Sequence, residues 1–138
     1  MSQFYKNIRL SHLSRGDAYL WSKFIDKYPD TFFDIKYDVR VGLGVILPQE
    51  YPEWLKKSAD FLSKKRIDVV GETKRHIFVI EIRVNAKSNV IGDLLSYKYL
   101  YELSFKPIKK VLPFLISNTL EADLLITLRE LKINYIIV

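Results

Sequence analysis

Two acidic residues sit inside apolar, strand-like runs: Asp68 lies between Ile67 and Val69, and Glu81 between Ile80 and Ile82. A carboxylate flanked by aliphatics in mid-strand is costly to bury without a cation or several hydrogen-bond donors. Strict alternation directs Asp68 away from its two neighbours and puts Glu81 on one face with Val79 and Arg83. Carboxylates on neighbouring strands of a hairpin approach closely enough to share one ion. Mg2+ or Mn2+ would relieve their repulsion, because both prefer hard oxygen ligands. The same residues allow a purely structural arrangement, in which Asp68 and Glu81 pair with Arg66, Arg83 or Arg40.

Other chemistries are poorly served. The chain has no cysteine, so disulfides and thiolate metal sites are excluded. His12 and His76 lack metal-ligand spacing and are expected at the surface. There is no phosphate-cradling glycine motif and no nucleophile elbow, which argues against nucleotide hydrolysis and serine hydrolase chemistry. Asp38 and Arg40 share a strand face and can pair with each other or with the hairpin. Lys87, Lys98, Lys106, Lys109 and Lys110 can line a phosphate-contacting rim or simply form a solvated charged face. The formal net charge of +6 favours a polyanionic partner such as DNA.

The elements that must position these residues follow from hydrophobic period and punctuation. Ser14 is expected to cap a first helix running to about Tyr28, with Leu20, Trp21, Phe24 and Ile25 as its apolar stripe and Pro29 just beyond. Residues 35–43 alternate as a half-buried strand closed by Gly42 and Gly44. Residues 48–65, with Tyr51, Trp54, Leu55, Phe61 and Leu62, fit either an amphipathic helix or an aromatic-rich loop. A hairpin of strands 66–71 and 76–84 follows, and then a helix over 89–103 for which Ser88 is the expected N-cap. A strand at 111–116, a helix at 119–131 and a strand at 133–138 complete the chain. This order predicts an α/β fold with a mixed central sheet of about five strands, flanked by helices on both faces.

At 138 residues, 49% hydrophobic and 28% charged, the sequence has the size and apolar content of one domain spanning 1–138. It contains no internal repeat or linker. No apolar run approaches the roughly 20 residues of a membrane-spanning helix, and the start lacks the apolar core of a signal peptide, so an intracellular location and no membrane partner are expected.

The stretch RIDVVGETKRHIFVIEIR (66–83) resembles the core of the PD-(D/E)XK nuclease superfamily. In that family an Asp on one strand and Glu-x-Lys on the next hold a divalent metal that activates water against a phosphodiester. Asp68 matches the Asp, Glu81 the Glu, and Arg83 stands at the Lys position. The helix containing Gly92-Asp93-Leu94-Leu95-Ser96-Tyr97 is similar to one that carries Gln-x-x-x-Tyr in many members, some phage-encoded. Tyr97 matches there, and Asp93 takes the Gln position. Asp17, Leu20, Trp21 and Phe24, followed by Tyr37 to Gly42, resemble the entry of the same phage-type proteins, so the likeness spans most of the chain.

The resemblance implies a restriction-endonuclease-like core in which Asp68, Glu81 and the Ile82 carbonyl hold Mg2+ or Mn2+, with Asp17 as an additional ligand. Arg83 departs from the pattern: guanidinium stays charged and is a poor general base, although it can neutralise a phosphate. Lys98, beside Tyr97, can replace the missing ammonium if its amine enters the site. Three readings follow. The first is a Mg2+-dependent DNA phosphodiesterase related to phages or mobile elements. The second is a catalytically silent nuclease-fold protein that serves as an assembly or virion component, with homo-oligomer or protein partners. The third is a plain DNA-binding module. The corresponding location is the host cytoplasm or a virion.

Overall fold

A computed structural model describes residues 12–138; the start of the chain, read above for a signal segment, lies outside the described residues. The elements are α1 (Arg15–Lys27), β1 (Asp34–Val41), α2 (Glu53–Ser63), β2 (Lys65–Glu72), β3 (His76–Arg83), α3 (Val90–Phe105), β4 (Lys110–Ser117), α4 (Ala122–Glu130) and β5 (Asn134–Ile137). The five strands form one sheet in the order β1-β2-β3-β4-β5. β1, β2 and β3 pair antiparallel, and β3, β4 and β5 pair parallel, so the sheet is mixed as the element order predicts.

Each face of the sheet has its own apolar layer. On one face Leu20, Trp21, Phe24 and Ile25 of α1 bury against Val69, Ile80, Ile82 and Ile116. Ser14 caps this helix as expected, its Oγ accepting the Asp17 N–H at 3.0 Å. On the other face Tyr97 and Tyr101 of α3 pack on Ile67, Val70, Ile77, Val79 and Val111, and Leu94 joins Leu115 and the α4 residues Leu124 and Leu128. Residues with period-two spacing on β3 therefore divide between α1 and α3. Glu81, between Ile80 and Ile82, falls on the α3 side.

Two local expectations are corrected, and one left open is decided. Ser88 does not cap α3: Asn89 precedes the helix without a side-chain cap bond. The entry is instead closed by a backbone turn, with Val90 N–H donating to the Lys87 carbonyl at 3.1 Å and Ile91 N–H to that of Ser88 at 3.2 Å. The open segment 48–65 contains α2, which buries none of its residues and leaves Trp54, Phe61 and Leu62 exposed. It is held by polar contacts: Gly44 N–H donates to Asp60 Oδ1 at 3.1 Å, and Arg40 both donates to the Phe61 carbonyl and stacks on its ring at 4.4 Å. The second correction concerns alternation on β2 and is central to the site. Among the described residues no helix is long and apolar enough to cross a membrane.

Candidate metal centre

Ile67 packs on the α3 side of the sheet and Val69 on the α1 side, so Asp68 occupies the point where β2 switches faces. Simple alternation, which would put both neighbours on one face, fails here. The paired strand shows the same break: Asp38, between residues paired with Val69 and Ile67, has φ of 54°. That left-handed residue is fixed by Arg66, whose Nε and Nη2 donate to the Asp38 carboxylate at 2.6 and 2.8 Å. The Arg66 hydrogen bonds hold the Asp38 carboxyl below the usual range. Asp38 thus pairs with the hairpin rather than with Arg40.

The kink gives Asp68 its direction. The β2–β3 ladder ends at Val69 and Ile80, and beyond it Asp68 Oδ2 accepts the Ile82 N–H at 3.1 Å. The N–H and C=O of one strand residue face the same side, so the Ile82 carbonyl opens toward Asp68 as well. Glu81 is 1% exposed, and its Oε1 has no hydrogen-bond partner. The Asp68 carboxyl is near enough to act on Glu81, and it opposes ionisation of the Glu81 carboxyl. Two ionised carboxylates supply no donor to each other, so a proton or a cation must stand between them. Burial first, then Asp68, raises the Glu81 pKa well above the carboxylate range; Arg83 opposes the shift.

Arg83 bridges two acids through one nitrogen. Its Nη2 lies 2.5 Å from Glu81 Oε2 and 2.9 Å from Asp93 Oδ2. Tyr97, one turn beyond Asp93 on α3, is buried beside this cluster. Burial, followed by the charges of Glu81, Asp93 and Asp68, raises the pKa of its phenol.

This geometry joins Asp68, Glu81, Ile82, Arg83, Asp93 and Tyr97 at one place. Asp17 is not among them: it lies in the first turn of α1, on the helix that covers the opposite face from Glu81. Among the described residues no group of three or more His, Cys, Asp or Glu side chains is arranged to hold a metal. The donor set is therefore two carboxylates and a backbone carbonyl. That fits Mg2+ or Mn2+, since Mg2+ commonly takes one or two carboxylates and keeps several waters, and it does not fit Zn2+.

Lys98 stays outside the cluster. Its ammonium donates to Glu102 Oε1 at 2.7 Å, one turn along the same helix, and lies over the Tyr99 ring. Of the lysines read as a phosphate rim, Lys98 and Lys110 line one pocket. Lys87 is exposed just after β3, beside Thr119 and Glu121, whereas Lys106 ends α3 and Lys109 binds Glu72 and the Thr73 carbonyl. Lys110 is paired with His76, five positions before Glu81 on β3, a separation of roughly 16 Å along the strands. His12, expected at the surface, is half-buried with Nε2 2.9 Å from the Asp68 carbonyl. The separation of 56 positions leaves no local signal for that contact.

Comparison with solved structures bears on this arrangement. A repair endonuclease from Pyrococcus abyssi matches 91% of this chain and 47% of its own, with TM-score 0.55 and 15% identity. The fold is endonuclease-like. EndoMS in complex with double-stranded DNA matches 89% of this chain and 44% of its own, with TM-score 0.52 and 16% identity. The chain spans about half the length of either structure. No protein-family model matches the sequence, and no curated protein does.

Proposed function

We propose that this chain is a nuclease-fold domain that acts on DNA and hydrolyses phosphodiester bonds with Mg2+ or Mn2+ held at Asp68 and Glu81. The observation that carries the reading is the buried Glu81 carboxyl, one oxygen orphaned, facing the Asp68 carboxyl. The endonuclease-like fold and the PD-(D/E)XK resemblance of residues 66–83 support it, as does a DNA complex of a structural neighbour.

In this reading Asp68, Glu81 and the Ile82 carbonyl supply hard oxygen ligands. The divalent ion contributes a lowered pKa of bound water and charge neutralisation at the phosphate. The chain's own residues do the rest. Asp68 is oriented by the Ile82 N–H. Arg83 offers the phosphate the guanidinium donors that its two ion pairs do not use. The Tyr97 phenol, its pKa raised, stays protonated and can donate. Arg83 cannot accept a proton, so proton removal falls to water or to the phosphate rather than to a basic side chain.

One observation favours a second reading. Arg83 already neutralises Glu81 and Asp93, as it would in a silent site retained for DNA binding or assembly. Purified protein incubated with supercoiled and linear DNA, with and without Mg2+ or Mn2+, separates the two. The first reading predicts metal-dependent nicking that is lost in Asp68→Ala. Absence of nicking at any metal concentration selects the second.

A further inference from the structure

Arg83 and Asp93 form an ion pair that the sequence resemblance does not supply, since neither residue type matches the pattern at its position. Its geometry is specific. Both contacts of Arg83 run through Nη2, at 2.5 Å to Glu81 and 2.9 Å to Asp93, so Nε and Nη1 take part in neither. Asp93 projects from the first turn of α3 and Glu81 from β3, so the guanidinium spans the gap between helix and sheet. The two acids differ in exposure: Glu81 is sealed at 1%, whereas the Asp93 side chain is 36% exposed, as is that of Arg83.

We infer that Asp93 is a positioning residue that keeps Arg83 poised to release Glu81, so that the guanidinium gives way to a divalent cation yet stays anchored beside it. The inference rests on the proposed metal reading. Glu81 cannot turn both oxygens to a metal while one of them holds Nη2, so Arg83 competes with any cation that arrives. Without Asp93, Glu81 would be the one ion pair left to Arg83 among the described residues, and Arg83 would leave it less readily. With Asp93, departure from Glu81 exchanges two ion pairs for one, and the guanidinium is not cast into solvent. An ammonium, with its donors on one atom at the end of a flexible stem, is less suited to this divided attachment than a planar fork. The Arg at the expected Lys position and the Asp at the expected Gln position are thereby explained together, as one coupled exchange.

The test is Mn2+ affinity of the purified protein, by calorimetry or by the EPR signal of free Mn2+, across a double-mutant cycle of Asp93→Asn and Arg83→Gln. Asp93→Asn should weaken Mn2+ binding about two- to fivefold when Arg83 is present, the range of a partly exposed ion pair. In the Arg83→Gln background the same substitution should have little effect, because nothing is left to position. Asp93→Glu should restore binding in part. Equal weakening in both backgrounds would mean that Asp93 acts through its own charge on the metal, and no weakening in either would mean that it does not steer Arg83; each overturns the inference while leaving the metal site standing. If the unmodified protein binds no Mn2+, or Asp68→Ala binds it equally well, the metal reading itself fails and takes this inference with it. Circular dichroism of each variant checks that the fold is kept.

Discussion

Glu81→Gln should stabilise the metal-free protein at neutral and alkaline pH. In the native chain Glu81 is 1% exposed, faces the Asp68 carboxyl and has one oxygen without a donor. A glutamine of the same shape turns its amide N–H toward Asp68 and its carbonyl toward Arg83, so every polar atom gains a partner. Arg83 keeps Asp93. A glutamine needs no proton to be neutral there, so removing the cost of protonating this buried acid, less the loss of one contact with Arg83, leaves a gain of about 1–3 kcal/mol. For a chain of this length that is a rise in Tm of about 3–10 °C.

The gain must depend on pH. The Glu81 pKa is raised above its ordinary 4.5, so the folded state binds the proton more tightly than the unfolded state. The native protein therefore loses stability as pH rises above 4.5, and the glutamine variant lacks that loss. Thermal melts in the presence of EDTA should show the two curves converging near pH 4 and separating steadily toward pH 8. A variant that is less stable at every pH, or a difference that does not change with pH, would show that Glu81 is ionised and well served by Arg83. The argument for an avid cation site would then collapse.

Smaller perturbations test the surrounding framework. Lys98→Ala should cost only about 0.3–0.5 kcal/mol, the worth of a helical i,i+4 pair, and should leave any metal-dependent DNA cleavage unchanged, because Lys98 is bound to Glu102. Lys106 ends α3 with φ of 45°, so Lys106→Gly should raise stability by about 0.5–1 kcal/mol in chemical denaturation. A methyl group added at Gly44 would stand 1.9 Å from the Asp60 carbonyl oxygen, so Gly44→Ala should detach α2 and change Trp54 fluorescence while leaving the α3 amides protected from hydrogen exchange.

The elements were legible in the sequence because most of them bury one face, and burial writes its period into the residues. The α1 stripe of Leu20, Trp21, Phe24 and Ile25 is a clear case, with Ser14 as its cap. Helix α2 was ambiguous for the complementary reason: nothing in it is buried, so its apolar residues obey no core. That Asp68 and Glu81 would approach each other followed from a hairpin, yet the path was not the one alternation describes. It depends on a kink stabilised by Arg66 and Asp38, residues 28 apart in the chain. The destination of Lys98 was a choice between directions around one helix, which spacing alone leaves open. Lys110 falls far from Glu81 because parallel pairing of β3 with β4 sets it beside His76.

The central claim is that Asp68 and Glu81 together hold one divalent cation. Crystals soaked in Mn2+ and measured near the manganese absorption edge would test it directly. The account predicts a single anomalous peak within coordination distance of both carboxylates, with Arg83 withdrawn from Glu81 and still on Asp93. A peak elsewhere, or none with Arg83 still on both acids, would contradict it.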